Sequence, residues 1–206
     1  MIPEPKSLFA ADSAIWRRPP FEHQRHMAEF HWSRPCSMDN SDVGTGKTAG
    51  MIAWMQAAFD QKLIKRCLVI APMTILANWS NELAHNSSLT SIVVVGPKAK
   101  RIQLLQKAAN VYLINYEGLR VVFPELLAMG FEAIVCDEFH HAKSHAGSYK
   151  SPTQAFLVRE LGKHATYRRG MTGTIITNDI EDVWSLAQFI DPRIFRMNHW
   201  GFKNTY

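Results

Sequence analysis

The sequence has no Cys-x-x-Cys pair. Its 3 cysteines, Cys36, Cys67 and Cys136, are odd in number and widely spaced, which argues against a disulfide framework, a zinc knuckle or a dithiol redox centre. They read as small apolar residues buried in strands. Long apolar runs are missing too. The uncharged stretch Cys67 to Ile75 is interrupted by Pro72 and is far shorter than the roughly 18 to 20 residues of a membrane-spanning helix. The start, Met-Ile-Pro-Glu-Pro-Lys, carries an acid and two prolines where a secretory leader has a basic stretch followed by an apolar one. The expectation is an intracellular protein with no membrane partner, cytoplasmic or nucleoid-associated. With 11 glycines and 10 prolines, the chain is outside the collagenous and low-complexity classes. Neither sign of charge dominates: 23 Lys+Arg against 18 Asp+Glu gives +5, a mild basic excess that suits a polyanion partner without requiring one.

What is present is a globular composition, with 47% hydrophobic and 11% aromatic residues over 206 positions, enough for one domain with a substantial core. Residues 1–20 hold Pro3, Pro5, Pro19 and Pro20 with little periodicity and read as an extended N-terminal arm before a domain spanning 21–206. Short runs rich in Val and Ile then alternate with longer amphipathic stretches. Strands are expected at about 36–40, 66–71, 91–95, 111–115, 132–137 and 166–172, and helices at 48–59, 75–85, 97–109, 117–129 and 152–161. Strand–helix alternation implies right-handed crossovers, hence an α/β fold with a mostly parallel sheet sandwiched between helices. Residues 142–150 read as a loop.

The strongest chemical signal is Ser41-Asp42-Val43-Gly44-Thr45-Gly46-Lys47-Thr48, placed between an expected strand and an expected helix. Glycines let main-chain N–H groups curl round phosphate oxygens, and a helix N-terminus adds a favourable dipole. Lys47 would reach the β- and γ-phosphates and Thr48 would ligate Mg²⁺. The strict phosphate-loop pattern has glycine where Ser41 stands. A second signal is Asp137-Glu138-Phe139-His140 after the apolar run Ala133-Ile134-Val135-Cys136. Carboxylates at the carboxyl end of a parallel strand face the place where such sheets bind ligands. Asp137 would hold Mg²⁺ and Glu138 would polarise the water that attacks the γ-phosphate.

The order of these motifs resembles the first RecA-like lobe of superfamily-two helicases and translocases, in particular the Swi/Snf-like branch. Phe21-Glu22-His23-Gln24 is similar to the adenine-reading Q motif, which implies Gln24 on the adenine edge. Asp42 to Thr48 resembles Asp-x-Gly-x-Gly-Lys-Thr, a form that does not need glycine at 41, and it implies ATP held by Val43, Gly44, Thr45, Gly46, Lys47 and Thr48. The run Cys67 to Trp79 resembles motif Ia, with Pro72, Met73 and Thr74 on the nucleic-acid backbone. Ile114-Asn115-Tyr116-Glu117 resembles Thr-Thr-Tyr-Glu, implying a phosphate contact from Asn115 and Tyr116. The 137–140 segment resembles a D-E-x-H box with Phe139 in place of a small residue. Met171-Thr172-Gly173-Thr174-Ile175-Ile176-Thr177-Asn178-Asp179 resembles motif III, with Ile175 replacing proline. His140, Thr172, Gly173 and Thr174 would then couple the nucleotide to the nucleic acid. Asp182 to Pro192 resembles the Swi/Snf form Glu-Leu-Trp-Ser-Leu-Leu-x-Phe-Leu-x-Pro, although Trp184, Leu186 and Phe189 by themselves read as helix core.

The resemblance implies an ATP- and Mg²⁺-dependent ATPase that moves on double-stranded DNA. It also implies a second RecA-like lobe with arginine fingers, which is missing from a chain that stops at Tyr206. Trans-supplied arginine is worth about 10³ to 10⁵ in rate in other phosphoryl-transfer enzymes, so the isolated lobe is expected to turn over very slowly. A nucleotide- or DNA-binding module without turnover and a lobe of a strand-separating helicase stay open as alternatives. His140, His141 and His145 have no evident further ligands and read as loop or interface residues rather than a zinc site. Lys98, Lys100, Arg101 and Lys107, and the pair Arg168 and Arg169, read as solvated basic faces and as secondary candidates for phosphate contact.

Overall fold

Six short strands form one parallel sheet in the computed structural model, which describes residues 4–42, 44–142, 149–173 and 181–205. The strands are β1 (Cys36–Asp39), β2 (Cys67–Ala71), β3 (Ser91–Val93), β4 (Val111–Asn115), β5 (Ala133–Asp137) and β6 (Tyr167–Met171), in the order β1-β6-β5-β2-β4-β3, with every neighbouring pair parallel. The described helices are α1 (Pro5–Leu8), α2 (Glu22–Trp32), α3 (Lys47–Asp60), α4 (Leu76–Asn86), α5 (Lys98–Leu105), α6 (Tyr116–Val121), α7 (Phe123–Met129), α8 (Gln154–Gly162), α9 (Glu181–Ile190) and α10 (His199–Lys203). None of them is long and apolar enough to cross a membrane.

The apolar runs are near-continuous because the central strands are covered on both faces. Cys67, Val69 and Ala71 of β2 point into a layer with Met51, Trp54, Trp79 and Leu83 of α3 and α4. The intervening Leu68 and Ile70 point the other way, into a layer with Leu119, Leu126, Leu157, Leu161 and Phe189 of α6 to α9. This period of two matches the pleat. Because all strands run the same way, their carboxyl ends gather at one edge. Asp39 pairs with Met171, Met171 with Asp137, and Ala71 with Asn115.

Several expectations need correction. Residues 4–20 are not an extended arm. They carry α1 and fold back so that Phe9 is fully buried against Ala28, Ala53 and Ala57, edge-on to Trp16 and Trp32. Trp16 Nε1 and Arg25 Nε both donate to Phe9 O, at 3.3 and 3.1 Å. A few aromatic anchors hold this segment without any periodicity. The helix expected over 117–129 is two helices, α6 and α7, broken at Val122 with φ −133°. Pro124 opens α7 and cannot donate into a continuous helix. Helix α5 ends at Leu105 because the Tyr112 hydroxyl ties the following turn, donating to Lys107 O at 2.6 Å and accepting from Ala109 N at 3.2 Å.

Two arginines expected on solvated faces are buried. Arg169 donates to the carbonyls of Pro35, His31 and Arg34 at 2.6 to 2.8 Å, and its guanidinium lies 4.3 Å from the Trp54 ring centroid. Burial pushes its pKa down to about 9, so it still carries its charge at neutral pH. Arg101 donates to Val94 O, Gly96 O and Asn115 Oδ1. Lys98, Lys100 and Lys107 are exposed as expected, and Arg168 is half-buried with Nε and Nη2 on Cys36 Sγ. Cys67 and Cys136 are buried and Cys36 is half-buried.

The bulk of Phe139 is accommodated from the neighbouring strand. A Cβ on Gly170 would come within 2.5 Å of the Phe139 ring, so the aromatic side chain fills the space that a glycine in β6 leaves. There Phe139 meets Phe189 of α9 edge-on, with centroids 5.1 Å apart.

Candidate functional site

The loop between β1 and α3 owes its course to two glycines. Gly44 and Gly46 have φ of 84° and 76°, a region that side chains rarely tolerate. At Gly46 a Cβ would also lie 2.3 Å from Gln24 Nε2, so a side chain there would push the Gln24 amide out of its place against the loop. The loop is tied inward at several points. Thr45 Oγ1 donates to Asp42 O at 2.8 Å, Asp39 Oδ1 accepts from Ser41 N at 2.8 Å, and His23 Nε2 lies 2.6 Å from Thr45 O. Lys47 Nζ donates to the loop carbonyls Ser41 O and Asp42 O at 2.7 and 2.8 Å. Val43 lies outside the described residues.

Gln24 is half-buried against this loop. Its amide nitrogen donates to Gly46 O at 3.4 Å and its Oε1 accepts from Phe21 N at 3.0 Å. One amide hydrogen and the second lone pair of the oxygen remain for an outside group.

Next to the loop is a cavity of about 410 Å³ whose wall includes Gln24, Gly46, Lys47, Thr48, Trp79, Asp137 and Glu138. That volume is within the range of small-molecule sites. Asp137 ends β5 and is 8% exposed. Burial raises its pKa above the usual carboxylate range, opposed by hydrogen bonds from Trp79 Nε1 to Oδ2 at 2.7 Å and from Glu138 N to Oδ1 at 2.8 Å. The Glu138 charge adds to the rise and Lys47 offsets part of it. Glu138 has φ 47°, a left-handed conformation that costs a non-glycine residue on the order of 1 kcal/mol. Glu138 Oε2 lies 3.2 Å from His140 Nδ1, and the same nitrogen is 3.1 Å from Thr172 Oγ1 at the end of β6. His140 therefore bridges the ends of β5 and β6.

The structure thus brings Gln24, Gly44, Gly46, Lys47, Thr48, Asp137 and Glu138 around one cavity, with His140 and Thr172 beside it. Gly173 follows Thr172 and is half-buried, while Thr174 and the rest of its segment through Ile180 lie outside the described residues. After β2, Pro72 is half-buried, and Met73 and Thr74 are exposed at the carboxyl edge.

Asn115 and Tyr116 differ from the expectation of a direct phosphate contact. Asn115 is 4% exposed, with Oδ1 accepting from Arg101 and Nδ2 donating to Glu117 Oε2 at 2.7 Å. Tyr116 is 1% exposed and donates its hydroxyl to Asp137 O at 2.8 Å. Their side chains face inward because each has a buried partner that a strand outside would have to displace.

Trp79 lies in the run that resembles motif Ia, and the sequence pattern alone gives it no role. A buried indole N–H needs an acceptor, and that requirement was the available signal. Among the described residues no group of three His, Cys, Asp or Glu is placed to hold a metal ion, and His141 stacks on Tyr116. Leu186 and Phe189 are buried in α9 as expected. Trp184 is half-buried instead and ties α9 to the C-terminal segment, donating Nε1 to Met197 O and meeting His199 edge-on.

Known proteins resemble this chain in sequence and fold. In Arabidopsis thaliana, the probable ATP-dependent DNA helicase CHR23 is 30% identical over 166 residues, 77% of this chain and 15% of that protein. The ATP-dependent DNA helicase DDM1 from the same plant is 31% identical over 176 residues, 80% of this chain and 22% of its own length. The solved SWI2/SNF2 ATPase core of Sulfolobus solfataricus in complex with dsDNA superposes with a TM-score of 0.76 at 25% identity, covering 90% of this chain and 38% of that one. The chain thus spans less than a quarter of the curated relatives just named and well under half of the solved core. Residues 23–206 match the SNF2-related domain, and with all but the first 22 positions included in that match, the chain belongs to the SNF2-related family.

Proposed function

We propose that this chain is the ATP-binding lobe of a nucleic-acid-dependent ATPase that moves along duplex DNA. The observation that carries the reading is the meeting of Lys47, Thr48, Asp137 and Glu138 on one cavity beside a loop in which Gly44 and Gly46 take positive φ. The donor set is a hydroxyl and carboxylates, all oxygen. That suits a hard divalent ion that keeps waters and takes further ligands from substrate phosphates rather than from a complete protein cage. Mg²⁺ held by Thr48 and Asp137 would neutralise charge on the β- and γ-phosphates.

In this reading Lys47 exchanges the carbonyls of residues 41 and 42 for phosphate oxygens, while the amides from Val43 to Thr48 surround them. Gln24 offers its remaining amide hydrogen and oxygen lone pair to the base edge. Glu138, set off the strand by its backbone conformation and held near His140, orients the attacking water. Met73 and Thr74, with Pro72, meet the DNA backbone. Asn115 and Tyr116 act on that side from within, and His140 with Thr172, Gly173 and Thr174 couples the two sides. The similar Sulfolobus solfataricus core is in complex with dsDNA, which supports the choice of substrate. A second RecA-like lobe supplies arginine fingers, so turnover by this chain alone is very low.

Calorimetry of ATP·Mg²⁺ binding tests the assignment. Lys47→Ala is expected to abolish binding, and Glu138→Gln to keep affinity within about twofold while stopping turnover when the complementary lobe is present. Parent-like binding by Lys47→Ala would overturn the assignment of the loop.

A further inference from the structure

Asp137 is gripped by donors from three segments. Glu138 N donates to Oδ1, Trp79 Nε1 donates to Oδ2, and the Tyr116 hydroxyl donates to the main-chain oxygen, all at 2.7 to 2.8 Å. The two side-chain donors come from elements that begin at the carboxyl edge. Trp79 is in the first turn of α4, directly after exposed Met73 and Thr74, and Tyr116 opens α6 directly after β4.

Both rings are buried, Trp79 completely and Tyr116 at 1% exposed, so water does not compete for these bonds and a displaced ring leaves a buried oxygen unpaired. The Tyr116 end is itself held rigid. Arg101 Nη1 and Nη2 both donate to Asn115 Oδ1 at 3.3 Å, Asn115 donates to Glu117, and Gln154 of α8 donates to the other oxygen of Glu117 at 3.3 Å. A Cβ on Gly118 would lie 2.4 Å from Arg101 Nη1, so the network has no slack there.

A carboxylate has about four lone-pair directions. The indole and the Glu138 amide occupy two of them, which fixes where the other two point. We infer that Trp79 and Tyr116 are positioning residues that aim the free lone pairs of Asp137 at a divalent cation, and that they transmit displacement of the 72–75 and 115–116 segments to that cation. The inference rests on the ATP·Mg²⁺ reading above. It adds a route by which DNA engagement regulates the same site, and the route runs through hydrogen bonds to one aspartate rather than through the phosphate loop.

The test uses the whole 206-residue chain, a fluorescent ATP analogue, Mg²⁺ titration and EDTA controls. Trp79→Phe and Tyr116→Phe each remove one donor and keep an aromatic ring, and Tyr116→Phe loses a single oxygen, so it serves if the tryptophan variant does not fold. Each variant is expected to need about tenfold more Mg²⁺ for half-maximal binding, in line with other outer-shell partners of metal ligands, while affinity in EDTA stays within about twofold. Duplex DNA is expected to shift the Mg²⁺ midpoint of the parent and to leave that of the double variant in place. If the parent binds the analogue and the variants show its midpoint, with only their unfolding affected, the donors merely fill a core and the inference fails by itself. A DNA shift equal in parent and double variant overturns the transmission. If the parent shows no Mg²⁺-dependent binding at all, the nucleotide reading falls and this inference falls with it.

Discussion

At the carboxyl end of β5 the buried carboxylate of Asp137 borders a cavity of about 410 Å³, whereas on β6 the fully buried guanidinium of Arg169 is closed over by three carbonyls of the α2–β1 junction and by the Trp54 ring. Both groups are ionisable, both are shifted by desolvation, and both sit in the same sheet on adjacent strands. The four Nη hydrogens of Arg169 are matched to carbonyls fixed in the chain, and its Nε–H is buried with no partner among the described residues. Asp137 is held by donors yet keeps lone pairs directed at open space. Burial of charge therefore does not separate a site from a structural clasp in this molecule. What separates them is whether the bonding directions left unspent face a cavity, as at Asp137, or a closed interior, as at Arg169 Nε.

That contrast can be broken in three places. The largest expected effect is at the clasp: Arg169→Ala leaves the carbonyls of His31, Arg34 and Pro35 without their donor and should destabilise the fold by about 4 kcal/mol. Urea unfolding measures this, and nucleotide affinity of the folded fraction should match the parent. A loss of affinity at parental stability would make Arg169 part of the site.

Next comes acid. His31 beside this clasp is fully buried, with Nδ1 2.7 Å from Ser37 Oγ, and burial, then Arg169, holds its pKa down to about 3. Below about pH 6.5 the unfolded chain takes up a proton that the folded chain refuses. The contribution is present above that pH and lost as pH falls toward 3, at a limiting slope of about 1.4 kcal/mol per pH unit. His31→Asn, which keeps a polar group near Ser37, should flatten that part of the pH–stability curve. An unchanged slope would show that His31 is not the group responsible.

The smallest effect has the opposite sign. Glu138→Asn places a residue that tolerates φ near 50° where a glutamate is strained, and should raise stability by about 0.5 to 1 kcal/mol, read as a higher unfolding midpoint, while removing the carboxylate proposed to orient water. A neutral or negative change would mean that the backbone strain is relieved by contacts of the glutamate itself.

The strands were legible to within a residue or two because parallel strands covered on both faces leave little choice but Val, Ile, Leu and Cys, as in Cys67–Ala71 and Ala133–Asp137. The break between α6 and α7 was present in Pro124 and was overridden by apolar spacing. Helix α2 and the folded N-terminal segment were less legible, since Phe9 and Trp16 act as single anchors without a period. Around the cavity, the residues singled out by chemistry do lie together, but the identity of their supports was hidden. Nothing local in the sequence pairs Trp79 with Asp137, 58 positions apart, or Arg169 with His31, 138 positions apart. Charge pattern placed Arg101 and Arg169 on the surface because it counts charges and cannot see carbonyls.

The ring of Phe139 has a mechanical consequence. It is wedged between Gly170 and Phe189 and is joined by one peptide bond to the backbone that carries Glu138, so a tilt of α9 would lever on the Glu138 corner of the cavity from beneath. Positions 139, 170 and 189 are consequently free to vary only as a trio: a side chain added at 170 has to be matched by atoms removed at 139, and shrinking 139 alone would leave α9 resting on a hollow.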